Sequence, residues 1–289
     1  MAYQATRITP GRVVRRIFIE GKLYFAMGRF RTVRRGYSVL RRLQQTFVPP
    51  AAGTGLTAES LFSGHVKAEV LERLRRDGIY VGLQLPPAMV EEVVTFARAA
   101  PLTRWAEEES FLYGDVRDGR LPNGEPVVVG SVRDPEACPT VARIKNDPLL
   151  REFVSAYLGY VPQRSRVVLF WNFASNLSEA ERSKVHQANN YHYDVDGFNF
   201  LYVQFFMTDV DEGSGLHIII KGSHRKKPMH LLLSSVKQPD EAIHAYYGVE
   251  NECIIQGKAG FGFIEDTSSF HKAQAPTKRD RLLLQFVYY

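Results

Sequence analysis

Six apolar runs crowd the second half of the chain: RVVLFWNFA (166–174), FNFLYVQFFMTDV (198–210), LHIIIKG (216–222), ECIIQ (252–256), GFGFIED (260–266) and RLLLQFVYY (281–289). They are rich in β-branched and aromatic residues and bounded by polar or glycine-containing loops, which is the pattern of strands. The first half reads differently. Val66, Val70, Leu71 and Leu74 fall at helical spacing over 65–76, and Asp77-Gly78 stops the pattern. IYVGLQL (79–85) reads as a strand, and Pro86-Pro87 opens a second helix through AMVEEVVTFARAA, because proline is tolerated in a first turn. In NDPLLREFVSAYLG (146–159), Asp147 is placed to cap a helix, Pro148 to start it and Gly159 to stop it. The segment 111–135 is loop with one strand at PVVV (126–129). Helices followed by a run of strands predict an antiparallel sandwich or open barrel buttressed by the early helices. The expected class is mainly β with flanking helices, α+β.

Composition narrows the setting. With 45% hydrophobic and 12% aromatic residues the chain can bury a sizeable core. No apolar run approaches the roughly 18 to 20 residues of a membrane span, and the first thirty positions lack the apolar core of a secretory signal. Cys138 and Cys253 are the only cysteines, which argues against a disulfide framework or a cysteine-rich zinc site. A cytoplasmic location is expected. The net charge of +6 is uneven: residues 1–50 hold eleven lysines and arginines against a single acid, Glu20. Within this block GKLYFAMGRFRTVRRGYSVLRRL (21–43) interleaves apolar residues with arginines. Such a stretch suits peripheral contact with an anionic membrane surface or phosphate-rich ligands, or else a basic helix packed on the domain with its arginines solvated, or a loose tail. FVPPAAGTG (47–55) reads as a linker, so the expected organisation is a basic extension over 1–55 and one domain over 56–289.

NNYHYDVDGFNF (189–200) carries the chemistry. In an extended segment His192 and Asp194 point to the same face, with their bases about 6 to 7 Å apart, and can converge on one ion. An imidazole and a carboxylate suit a first-row divalent metal, and a second imidazole would complete a facial triad with open positions. A lone H-x-D pair is common in ordinary turns, so the third donor matters. His271, at the end of an apolar strand, is the candidate. His186, a loop residue six positions before His192, competes with it. His65, His230 and His244 fall in helical or polar surface stretches, and His217 starts a strand expected to pack in the core. Ten residues beyond His271, across KAQAPTKRD (272–280), comes Arg281. A hairpin there would set it about 5 Å, one strand spacing, from the distal histidine. Its guanidinium would then hold a carboxylate bidentately, as needed for a short dicarboxylic acid that chelates the metal at its other end.

Taken together, HYD (192–194), GSGLHIIIKGSH (213–224), His271 and Arg281 resemble the phytanoyl-CoA dioxygenase (PhyH-like) family of Fe(II)/2-oxoglutarate-dependent oxygenases. RRDGIYVGLQLPPAMVEEV (75–93) is similar to that family's opening helix, strand and helix, so the resemblance runs from about residue 65 to the end. It implies a double-stranded β-helix, a jelly-roll (cupin-like) core. It further implies Fe(II), 2-oxoglutarate as cosubstrate and O2, with His192, Asp194 and His271 as catalytic iron ligands and Arg281 as the anchor of the far carboxylate. The reaction would release succinate and CO2 and hydroxylate a small-molecule, lipid or glycan substrate. Related halogenases replace the carboxylate ligand with a small residue, so Asp194 favours hydroxylation. Gln204 shares the parity of His192 if no bulge intervenes, and a buried amide must find partners, either the cosubstrate or neighbouring backbone. Trp171 either lines the pocket or packs in the core, and His224 is expected to organise its turn. Asp196 reads as a turn residue before Gly197. Ala273 departs from the family pattern, which often has a hydroxyl two residues after the distal histidine. The alternative reading is a non-catalytic jelly-roll binding protein with a membrane- or anion-binding arm. Nucleic acid is not favoured, because the basic residues form one block without a base-reading element.

Overall fold

A computed structural model describes residues 27–48, 59–104, 108–178, 181–182, 190–233 and 237–289. The expectations for positions 1–26, for most of the linker and for His186 lie outside the described residues. The helices are α1 (Arg31–Phe47), α2 (Lys67–Asp77), α3 (Pro87–Ala99), α4 (Pro139–Lys145), α5 (Pro148–Leu158), α6 (Met229–Leu233) and α7 (Asp240–Tyr247). The strands are β1 (Ile79–Gln84), β2 (Leu102–Thr103), β3 (Ser110–Phe111), β4 (Val129–Val132), β5 (Ser165–Asn172), β6 (Leu201–Phe206), β7 (His217–Ile220), β8 (Glu252–Ile255), β9 (Phe261–Glu265), β10 (His271–Ala273) and β11 (Arg281–Tyr288). None of the described helices is long and apolar enough to cross a membrane.

Two antiparallel sheets form the core. The larger runs β1-β9-β6-β11-β5-β4-β2-β3 and the smaller β10-β7-β8. From β8 to β11 the chain alternates between the sheets, which is the winding of a double-stranded β-helix. Strand side chains alternate between faces, so the long strands of the larger sheet serve two cores. Leu169, Trp171, Val203, Phe205, Leu284 and Phe286 pack outward on α2, α3 and α5. Ile79, Phe206, Phe263 and Leu283 point inward, against Ile219 and Ile255 of the smaller sheet. Burying each such side chain stabilises the fold by about 1.5 to 3 kcal/mol.

Local chemistry sets the ends of these elements. The Asp147 carboxylate accepts from Leu150 N at 3.0 Å, capping α5, and also from the Ser60 hydroxyl and Leu61 N. Gly78 ends α2 at φ 85°. There a Cβ would come within 2.6 Å of Ser269 Oγ, so glycine is required for space as well as for backbone.

One expectation shifts, and of the alternatives for the described part of the basic stretch the packed helix is the one found, with Arg34 buried rather than solvated. The strand placed at 126–129 starts only at Val129, because Val127 N donates to Gly119 O and ties the preceding residues into a loop. The part of the basic stretch that is described is one helix, α1, docked on the domain. Arg34 is buried and forks onto Asp266 with two bonds of 3.0 Å, while its Nε and Nη2 also reach Asn199 Oδ1. Tyr37 stacks on Phe198, whereas Leu40, Leu43 and Phe47 stay exposed.

Candidate metal centre and carboxylate pocket

His192 and Asp194 lie on an extended segment that pairs with the end of the smaller sheet. His192 and His271 exchange both backbone hydrogen bonds at 2.8 Å, and Asp194 N donates to Thr267 O at 2.8 Å. Pairing fixes parity: Tyr191 and Tyr193 turn outward to pack with Ile218, Ile220 and Phe270, and the residues between and beyond them turn inward. As a result donor atoms of His192, Asp194 and His271 all lie within 4.8 Å of one another. The two imidazole centroids are 4.4 Å apart, and His271 Nε2 lies 3.7 Å from Asp194 Oδ2.

The tautomers suit an ion. His192 Nδ1 is 3.1 Å from Asn190 O and His271 Nδ1 is 3.0 Å from Ser269 O. A carbonyl only accepts, so each Nδ1 carries the hydrogen and each Nε2 presents a lone pair. Burial, with His192 beside it, pushes His271 down to about 3, so its ring is neutral at ordinary pH. Burial raises the Asp194 carboxyl, with His192 opposing. Two nitrogens and one oxygen converging from one side is a donor set for an iron-type divalent ion with open coordination positions.

Arg281 does not neighbour His271 by a hairpin. Its strand, β11, lies in the larger sheet between β5 and β6, whereas β10 pairs with β7 in the smaller one. The loop 274–280 therefore crosses from sheet to sheet, and a proline-containing polar loop of this length reads the same for either connection. Arg281 nevertheless points inward beside Asn172, 2% exposed. It donates to Gly215 O and Asn172 Oδ1, its Nε has no partner among the described residues, and no carboxylate pairs with it there. Burial brings it down to about 10. The acceptor Gly215 has φ +86°, and a Cβ there would fall 2.4 Å from Gln274 O.

Gln204 is buried on the inner face, but its partners are side chains, not backbone. Its Nε2 donates to Glu265 Oε2 at 2.8 Å, and its Oε1 accepts from Gln285 Nε2 at 2.6 Å. Glu265 was not anticipated. It is fully buried, bonded to His217 Nε2 at 2.8 Å, with Oε1 unpartnered among the described residues and 3.9 Å from His271 Nδ1. Burial alone would raise Glu265, but His217, by charge and hydrogen bond, and then His271 hold it below the usual carboxylate range. His217 is in the core as expected, yet on its polar inner wall. The available signal was parity, since Phe263 and Glu265 alternate onto the same face as Gln204 and Tyr202. Trp171 faces the helices, donating to Ala97 O at 3.1 Å, so it is core and not pocket. His224 contacts the end of α2, with Nε2 3.3 Å from Arg75 O. Asp196 binds Arg166 and the Tyr202 hydroxyl, away from the donor set.

No protein-family model matches the chain, and no curated protein matches it in sequence. Among solved structures it is similar to the non-heme alpha ketoglutarate dependent epimerase SnoN from nogalamycin biosynthesis. The identity is 18% and the TM-score 0.54, over 77% of this chain and 82% of that one. A second structure of SnoN, in complex with Fe3+, alpha ketoglutarate and nogalamycin RO, gives a TM-score of 0.50 at 18% identity, with the same 77% and 82% coverage. EvdO2 from Micromonospora carbonacea var. aurantiaca, complexed with 2-oxoglutarate, matches at 15% identity and TM-score 0.50, over 78% of this chain and 91% of that one. At such identities the likeness is one of fold, the jelly roll described above.

Proposed function

We propose that the chain is a non-haem Fe(II)- and 2-oxoglutarate-dependent dioxygenase that hydroxylates a small-molecule, lipid or glycan substrate and releases succinate and CO2. The observation that carries this reading is the placing, inside one jelly roll, of a His-Asp-His donor set and a buried arginine that no described carboxylate neutralises. His192, Asp194 and His271 would hold the iron through the two Nε2 atoms and one carboxylate oxygen. Arg281 would receive the far carboxylate of 2-oxoglutarate, with Asn172 turning its unpartnered Nδ2 to the same space. Gln204, tied to Glu265 and Gln285, would offer its remaining N–H to the cosubstrate. Bound together, iron and 2-oxoglutarate supply O2 activation coupled to oxidative decarboxylation. The protein's part is to fix the donors by strand pairing, keep the His271 imidazole neutral and hold the polar groups of the inner wall in place around the site. Structures of similar fold include enzymes named for alpha ketoglutarate dependence, which is consistent with this reading.

The test is metal binding first and turnover second. Mn(II) titration followed by electron paramagnetic resonance should show one site that is lost in His192→Ala. Anaerobically iron-loaded protein, exposed to O2 and 2-oxoglutarate, should release succinate, and Asp194→Ala and His271→Ala should not. A chain without such a site would be the non-catalytic binding protein instead, and succinate release retained in both variants would sink the assignment.

A further inference from the structure

Behind the segment that carries the donor set lies a second charged region, a cavity of about 750 Å³ between α1, the C-terminal end of α2 and the turn after β7. Tyr193 lines it, with its ring on the opposite side of the strand from His192 and Asp194, so the cavity is distinct from the barrel interior. Its walls carry Arg31 and Arg35 from α1, Arg75 from α2, and Arg225 and Lys227 from the turn. One acid, Asp266, is present among the described lining residues, and it is already consumed. It takes the fork of Arg34, the Tyr157 hydroxyl at 2.7 Å and Ser268 N at 3.0 Å. The five named cations have no ion-paired carboxylate among the described residues. The Lys227 ammonium donates to Ser268 O at 2.9 Å and lies 3.8 Å from the centroid of Phe270, a setting that removes water without supplying an anion. Burial brings it down to about 7, and burial together with Arg35 and Arg225 lowers Arg31.

We propose that this cavity binds a phosphate- or diphosphate-bearing organic molecule. A carboxylate is satisfied by one guanidinium fork, whereas several cations converging from three elements match a group with multiple charges and several acceptor oxygens. The volume exceeds that of an inorganic anion and falls in the range of small-molecule sites, and Val39, Leu158 and Leu232 give the wall an apolar part. Two sources share this chemistry, a soluble phosphorylated metabolite and an anionic lipid headgroup. Leu40, Leu43 and Phe47, exposed further along α1, keep the second in play. The inference does not rest on the proposed oxygenase activity.

The experiment uses the full chain, sodium pyrophosphate as the soluble probe, and phosphatidylcholine vesicles with and without phosphatidic acid, all at one ionic strength. Calorimetry should show saturable pyrophosphate binding that weakens about tenfold or more in Arg31→Gln/Arg225→Gln and persists in Asp194→Ala and in Arg164→Gln, an exposed control. Pyrophosphate should also protect Lys227 from amine acylation in the wild-type chain, a readout independent of any variant's folding. Binding confined to phosphatidic acid vesicles and lost in the double variant supports the site and assigns its ligand to a headgroup. Binding that sulfate reproduces, that survives the double variant or that vanishes in Asp194→Ala overturns the proposal, as does binding to neither probe.

Discussion

The barrel interior and the cavity beneath α1 both gather charge, and they do so in opposite ways. The interior groups Asp194, Glu265, His271 and Arg281 are largely out of water, whereas Arg31, Arg35, Arg75 and Arg225 of the cavity are exposed, with Lys227 and Arg34 withdrawn. In the interior, Asp194 and Glu265 sit among three imidazoles, His192, His217 and His271, while Arg281 stands elsewhere in the same space, with strand pairing holding each in place. Opposite charges are present but kept apart. In the cavity, one carboxylate faces an excess of cations, yet Arg34 and Asp266 meet in full contact. The contrast separates two uses of clustered charge. A pair that completes its own hydrogen bonds holds the fold together, and a desolvated group left without its counter-charge marks where something else binds.

The largest expected effect is in the interior. Substituting His271 by Ala removes one donor of three and should weaken Mn(II) binding by at least about 100-fold, which a spin-resonance titration reads directly. Arg34→Met comes next and lies in the cavity. It strands a buried carboxylate, so the expected loss is about 3 to 5 kcal/mol of folding stability, measured by urea denaturation at neutral pH. If His271→Ala unfolds the chain while Arg34→Met costs nothing, the division between ligand-seeking and fold-holding charge is wrong.

Parity made the first of these groups readable. His192 and Asp194 share a face in any extended segment, and the apolar runs fixed which elements are strands. A polar loop does not reveal which sheet the next strand joins, so the sequence alone sets Arg281 beside His271, whereas β11 carries it in the other sheet. Glu265 escapes a sequence reading because a carboxylate at the end of an apolar strand ordinarily points to solvent, whereas here His217 and Gln204 bond to it and His271 adds to the offset of its burial. Arg34 was hidden among many arginines. Phe30, Arg34 and Tyr37 do fall at helical spacing, but nothing local tells which arginine finds a buried aspartate 232 positions away.

Arg281→Ala returns to the interior with a smaller effect. Loss of a charge-assisted fork should raise the apparent KM for 2-oxoglutarate about 10- to 100-fold, with succinate release at saturation much less affected. Arg281→Lys should recover little, since an ammonium cannot reproduce the fork geometry. A full recovery by lysine would mean that the interior needs only charge, and would erase its distinction from the cavity.

Tyr157→Phe gives the smallest change and the finest test of the fold-holding pair. Burial pushes Asp266 up, but Arg34, then His224, Ser268 and Tyr157 bring it down to about 2. Burial and Asp266 hold the Tyr157 phenol well above its ordinary value, so it stays a donor throughout. A carboxyl depressed in the folded state stabilises the fold fully above its unfolded value, near 4, and loses that contribution as pH falls toward 2. The contribution is roughly 2 kcal/mol. Removing the phenol should therefore cost about 1 kcal/mol at neutral pH, move the acid limb of stability upward, and cost progressively less as pH falls to 2. Urea midpoints across that window decide the point. A penalty independent of pH would mean that Tyr157 contributes packing alone, leaving Arg34 as the group that sets the charge of Asp266.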